Sequence, residues 1–181
     1  IKKLMIEMPP RHAKSTTVDQ LWLPHYLLDH PEERIIFASY GSDYARKWGR
    51  EARAIVTEFG PPMYGIEVKS DTRAADEWDL AGHRGGMITA GIGGSITGRG
   101  ANVLVIDDPV KDEQEAASET IQQRNYDWYR STASTRMEPD GVQVLIMTRW
   151  HERDLAGLLI AEEGHEWTVV SLPALAEQND P

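Results

Sequence analysis

Two short stretches carry residue types that can do chemistry. The first is Met8-Pro9-Pro10-Arg11-His12-Ala13-Lys14-Ser15-Thr16. It follows a strand-like run, Lys2 to Met8, and precedes a stretch with helical apolar spacing. A lysine and a hydroxyl at a strand–loop–helix turn suit phosphate, because the loop and the helix N-terminus present backbone N–H groups to the anion. Lys14 then reaches the β- and γ-phosphates of a nucleotide, and the Ser15 hydroxyl takes Mg²⁺. The usual pattern is G-x-x-x-x-G-K-[ST]. Here Met8 and Ala13 hold the two glycine positions. On that pattern alone, a helix N-cap with a surface lysine accounts for the stretch equally well.

The second stretch is Val103-Leu104-Val105-Ile106-Asp107-Asp108, an apolar strand ending in two carboxylates. In phosphoryl transfer, one such carboxylate holds Mg²⁺, and its neighbour orients the attacking water and takes its proton. Adjacent side chains on a strand point to opposite faces. Asp107 and Asp108 can therefore share these roles only where the strand stops, and Pro109 helps to stop it. A plain strand–turn junction is the other reading. Lys14-Ser15 and Asp107-Asp108 together favour Mg²⁺-dependent nucleotide chemistry.

The elements that must position these residues alternate in type. Strands are expected at Lys2 to Met8, Arg34 to Tyr40, Asn102 to Asp107, Gly141 to Thr148 and Trp167 to Leu172. Helices are expected at Ser15 to His30, with a kink at Pro24, at Ser42 to Phe59 before Gly60-Pro61-Pro62, in the segment that ends near Arg136, and at Glu152 to Glu163. Glu77 to Leu80 and Met87 to Ala90 read as short antiparallel strands, and Gly91 to Gly100 as a glycine-rich loop. Most strands are apolar without alternation, which predicts an α/β fold: a mostly parallel sheet with helices on both faces.

Composition bounds the rest. The 181 residues suit one domain with a short tail. The absence of cysteine excludes a disulfide scaffold, a cysteine-ligated metal and a thiol nucleophile. No apolar run approaches the roughly 18 residues that span a bilayer. A net charge of −10 is unlike a free-standing duplex-DNA binder. No G-x-S-x-G elbow is present, and Gly91-Ile92-Gly93-Gly94 precedes a strand rather than following one, which argues against a dinucleotide loop. Arg46, Lys47, Arg50 and Arg53 recur at helical spacing and read as a solvated face, with DNA phosphates as the alternative.

MPPRHAKST, GSITGRGANVLVIDDPVKDEQEA and VLIMTRWHERDLAG occur in this order. Together they resemble the ATPase domain of the large terminase subunit of tailed bacteriophages, over roughly Lys3 to Pro173. The resemblance implies a P-loop NTPase fold of the additional-strand, RecA-like type, and hydrolysis of ATP with Mg²⁺. It implies phosphate binding by Pro10, Arg11, His12, Ala13, Lys14, Ser15 and Thr16, with Arg11 at the γ-phosphate. Ser15 and Asp107 hold the metal in that reading. Asp108 stands where many relatives carry a catalytic glutamate, one methylene longer. Thr148 matches a motif that senses the γ-phosphate, at a strand end followed by Arg149 and Trp150. An ordinary strand–helix junction would instead leave Arg149 exposed and Trp150 packed. Arg99 is either an arginine finger for a neighbouring subunit's ATP or a loop arginine of its own domain.

By the same resemblance the expected work is packaging of double-stranded viral DNA. The implied partners are the portal protein, a small terminase subunit and further copies in a homo-oligomeric ring, all in the cytoplasm of a bacterial host, with no membrane. Residues 1–173 are expected to form the ATPase domain, without an upstream adenine-contacting segment. Residues 174–181 would open a linker to a C-terminal nuclease domain. Another P-loop translocase or helicase, and a catalytically dead interaction module, are the alternatives.

Overall fold

The computed structural model describes residues 2–175, apart from Ala75, Thr97, Arg99 and the side chains of Thr72 and Arg73. Strand β1 (Lys3–Glu7) leads through the Met8–Thr16 loop into α1, a π-helical turn at Thr16–Trp22 that continues as an α-helix at Leu23–Asp29. Next come β2 (Arg34–Ser39), α2 (Ser42–Tyr64), β3 (Val68–Arg73), β4 (Glu77–Leu80) and β5 (Gly86–Gly91). Strand β6 (Ala101–Asp107) follows, then α3 (Glu113–Ala116) and α4 (Glu119–Trp128), which winds on through a π-turn at Tyr129–Ala133 and a 3₁₀ turn at Ser134–Arg136. The chain closes with β7 (Met137–Met147), α5 (Leu155–Glu163) and β8 (Trp167–Ser171).

The described strands form one sheet in the order β3-β4-β5-β2-β6-β7-β1-β8. All pairings from β5 to β8 are parallel, and β3-β4 and β4-β5 are antiparallel. The expected mostly parallel sheet is therefore present. One strand, β7, lies between β1, which feeds the lysine loop, and β6, which ends in the two carboxylates. All three stop at the same end of the sheet, where open α/β sheets gather their ligands.

Strand residues divide by parity between two cores, as the two-residue strand period requires. Ile35, Phe37, Val103, Val105, Val144 and Ile146 pack with Leu23, Leu27, Ala45, Trp48, Ala52 and Val56 of α1 and α2. Ile36, Ala38, Leu104, Ile106, Leu145 and Met147 pack on the other face with Trp128, Tyr129, Leu155 and Leu159. A strand covered on both faces has no polar side to show, which is why these runs are continuously apolar.

Several boundaries differ from the sequence reading. Helix α2 does not stop before Pro61 but takes Pro61 and Pro62 into its last turn and ends at Gly65, whose φ is 69°. The Gly65 N–H returns to the Gly60 and Pro61 carbonyls and closes the helix, in the left-handed cap conformation that glycine adopts at low cost. In α1, Pro24 cannot donate, and the Leu23 N–H reaches back five residues to the Val18 carbonyl. The π-turn shifts the apolar face, so Leu21 is 58% exposed while Leu23 is fully buried. Helix α5 starts at Leu155 because the Asp154 carboxylate caps it, accepting from the Gly157 N–H at 3.0 Å. Strand β3 was not expected.

Phe37 is fully buried at the centre of the α1–α2 core. Phe37→Ala should lower the unfolding free energy by about 3–5 kcal/mol, read from urea denaturation.

Candidate functional site

The loop after β1 adopts a backbone that its residues do not favour. Arg11 has φ 64° and Ala13 has φ 62°. Both lie in the left-handed region, where a Cβ costs about 1–2 kcal/mol and glycine is at ease. Ala13 is the position where the phosphate-loop pattern has its second glycine. The Ala13 carbonyl already accepts from the Thr17 N–H at 2.8 Å, so α1 begins immediately after it. The first N–H groups of a helix have no acceptor of their own, which suits this start to an anion.

The two carboxylates meet this loop. Ser15 Oγ donates to Asp107 Oδ2 at 2.7 Å, and Lys14 Nζ pairs with Asp108 Oδ2 at 2.6 Å. Asp107 is the last residue of β6, and Asp108 has φ 43°. That left-handed turn allows consecutive aspartates, which would diverge on a continuing strand, to face one loop. The Asp108 backbone is held on both sides: its N–H donates to the Ile146 carbonyl at 2.9 Å, and its carbonyl accepts from the Tyr40 N–H at 3.1 Å. Its second carboxylate oxygen accepts from the Thr148 N–H at 3.2 Å. Asp108 thus bridges the loop lysine and the end of β7.

Asp107 is fully buried, and its Oδ1 has no hydrogen-bond donor. Neither has either oxygen of Asp19, which is also fully buried. Asp19 lies four residues after Ser15 and faces Asp107 from α1. Two carboxylates cannot bond each other unless one keeps a proton. Burial, then the charge of Asp107, pushes the Asp19 carboxyl far above the ordinary carboxylate range. Asp107 is also raised, by burial and then by the charge of Asp108. This carboxyl pair was missed in the sequence. Its one signal there is the i, i+4 spacing from Ser15.

Arg11, Ala13, Lys14, Ser15, Thr16 and Asp108 line a cavity of about 420 Å³ together with Tyr44, a residue not singled out from sequence. Pro10 and Thr148 do not line it but border another cavity, of about 450 Å³. His12 is exposed, with Nδ1 2.9 Å from the Pro10 carbonyl within its own loop. Arg99 lies outside the described residues. At the end of β7 the simple junction reading is reversed. Arg149 is tied to Glu7 at 2.6 Å and to Asp154 at 3.0 Å, while Trp150 is 39% exposed. On α2, Arg46 pairs with Asp43, and Arg53 donates to the Ala74 carbonyl.

The residues present suit Mg²⁺. Asp107 Oδ1 is a buried anionic atom that lacks a donor, beside a hydroxyl whose lone pairs are available. Among the described residues no group of three or more acidic or histidine side chains forms a metal cage. Mg²⁺ needs none, since it takes one or two protein oxygens and fills the rest with water and phosphate.

The model of the family described as terminase large subunit, T4likevirus-type, N-terminal, matches residues 5–181. The chain belongs to this family. Its fold is also that of large terminases. The crystal structure of the HK97 bacteriophage large terminase aligns with a TM-score of 0.62 at 12% identity, over 99% of this chain and 36% of that one. A large terminase from a thermophilic bacteriophage, in complex with ATP-γ-S, aligns at 0.57 and 14% identity, over 98% and 42%. The complex of that same terminase with ADP aligns at 0.56 and 14% identity, over 98% and 43%. This terminase domain therefore spans about two-fifths of those chains or less. No curated protein matches the sequence.

Two outcomes follow from this geometry. Ala13→Gly should relieve the left-handed strain and raise stability by about 1 kcal/mol in urea denaturation. The Asp19–Asp107 pair gives a pH dependence. The folded chain keeps a proton on Asp19 well above pH 4, the value near which the unfolded chain releases it. This contribution is full below the unfolded value and is lost as pH rises towards the raised folded one. Asp19→Asn removes that proton linkage, so the stability of the variant relative to the unsubstituted chain should increase between about pH 5 and about pH 8. Urea midpoints at the two pH values measure the difference.

Proposed function

We propose that this chain is the ATP-hydrolysing motor domain of a large terminase subunit, and that its parent protein drives double-stranded viral DNA into a capsid. The observation that carries the reading is the meeting of Lys14-Ser15 with Asp107-Asp108 across the ends of β1 and β6. Family membership and the nucleotide complexes of the thermophilic phage's terminase support it.

In this reading the start of α1 and Lys14 bind the phosphates, and Arg11 contacts the γ-phosphate. Ser15 and Asp107 hold Mg²⁺, which offsets the negative charge of the phosphates when bound. Lys14 exchanges its carboxylate partner for phosphate oxygens. Asp108, released from Lys14, orients a water and takes its proton as the water oxygen bonds to the γ-phosphorus and the bond to ADP breaks. Thr148 couples this change to β7, because its N–H holds the other Asp108 oxygen. Asp107 stays anionic beside the metal, and Asp19 keeps its proton.

Residues 1–173 constitute the motor domain in this proposal, and 174–181 begin the connection to a nuclease domain of the parent protein. The portal protein, a small terminase subunit and sister copies in a ring are the partners it implies, within the host cytoplasm. Arg99 is assigned to the ATP of a neighbouring subunit in that ring. Among the described residues no helix is long and apolar enough to cross a membrane.

Thermal unfolding with and without Mg-ATP tests the site. Ligand that binds only the native state raises the midpoint, by about 2.7 kcal/mol of stability at a hundredfold excess over Kd. The rise should vanish in Lys14→Ala. It should persist or grow in Asp108→Asn, which frees Lys14 for phosphate, while phosphate release by the parent protein falls by at least about a hundredfold. Equal midpoint shifts in Lys14→Ala and the unsubstituted chain would sink the proposal.

A further inference from the structure

Tyr44 stands in the first turn of α2, at the exit of β2. It comes from the side of β6 remote from the lysine loop, because the sheet runs β2-β6-β7-β1. Nevertheless its side chain lines the same cavity as Lys14, Ser15 and Asp108. The ring is fixed from two sides. Its centroid is 5.1 Å from that of Tyr40, and 6.1 Å from that of Trp48, which it meets edge-on. The hydroxyl is in contact with Ser15. Because Ser15 gives its one hydrogen to Asp107, Tyr44 is the donor in that contact, and its hydrogen is free to turn to another acceptor once Ser15 Oγ takes a metal.

Topology says which end of a triphosphate such a group can meet. The α- and β-phosphates lie over the loop that follows β1, and the γ-phosphate must approach the carboxylates at the end of β6 if Asp108 is to serve its water. A side chain that enters from β2, beyond β6, reaches the γ end first. A phenol keeps its proton at neutral pH and so remains a donor. Its only flexible bonds are held by the flanking rings, so little ordering is needed when an anion arrives.

We infer that the Tyr44 hydroxyl donates a hydrogen bond to the γ-phosphate of the bound nucleotide and so distinguishes the triphosphate from the diphosphate. The assignment rests on the ATP-site reading above and adds a contact from α2 to it. Tyr44 acts opposite Lys14, with the transferring group between them. A bond made to the γ-phosphate alone contributes nothing to ADP, so hydrolysis removes it and frees the first turn of α2.

The test is calorimetric titration of the chain and of Tyr44→Phe with Mg-ATPγS and with Mg-ADP. The phenylalanine keeps the ring and its packing and removes only the hydroxyl. A hydrogen bond to a charged oxygen is worth about tenfold or more in affinity. Tyr44→Phe should therefore weaken Mg-ATPγS about tenfold and leave Mg-ADP unchanged. Equal weakening of both nucleotides, or no change in either, would overturn the assignment while leaving the phosphate site in place. If the unsubstituted chain bound neither nucleotide, the site reading would fail, and the Tyr44 assignment with it.

Discussion

Everything at the functional end of the sheet depends on concentrated negative charge. Asp19, Asp107 and Asp108 stand together, and Lys14 is the one cation among the described residues that pairs with them. Buried like charges of this density are tolerable only if one keeps a proton, one finds a cation, and one awaits another. Asp19 does the first and Asp108 the second. Asp107 is left with an anionic oxygen that no protein group satisfies. In the proposed function, a divalent cation accompanied by phosphate would supply a partner for Asp107 and a competing anion for Lys14 at once.

The backbone pays for this arrangement in strain confined to three residues, Arg11, Ala13 and Asp108, the only described non-glycine positions with positive φ. They lie on opposite sides of the same cleft. Such strain persists only where the surroundings over-determine it, and here they do. Asp108 is gripped by β7 at its N–H and by Tyr40 at its carbonyl. Ala13 is gripped by the start of α1. A residue that sequence patterns treat as a defect in the loop is thus held in the conformation that a glycine would supply.

Much of this was legible in the sequence, for identifiable reasons. Lys14-Ser15 and Asp107-Asp108 are local in the chain and bounded by strongly apolar strands, so both the residues and their setting could be read. The parallel sheet was legible because strands buried on both faces lose their alternation. Strand β3 was not, because Val68–Arg73 lies at the sheet edge and reads VKSDTR, without an apolar run. The end of α2 was misplaced because proline is incompatible with a helix interior but tolerable in a last turn closed by Gly65. Asp19, whose one signal is its spacing from Ser15, and Tyr44, which has none, were missed for a different reason. Their importance comes from strand order, which puts β2 beside β6, and a π-turn, which resets the phase of α1. No local pattern encodes either.

The close seat of Gly157 has a mechanical meaning. A Cβ there would stand 1.8 Å from the Glu152 carbonyl oxygen, so the segment after β7 rests directly on the first turn of α5. Asp154 accepts from the N–H groups of Trp150, His151 and Gly157 and pairs with Arg149, which is anchored in turn to Glu7 at the end of β1. A connection bound at so many points has no slack. If the proposed site displaces the Thr148 N–H, these ties would carry the segment from Thr148 to the first turn of α5 with it, as a crank does and a tether does not.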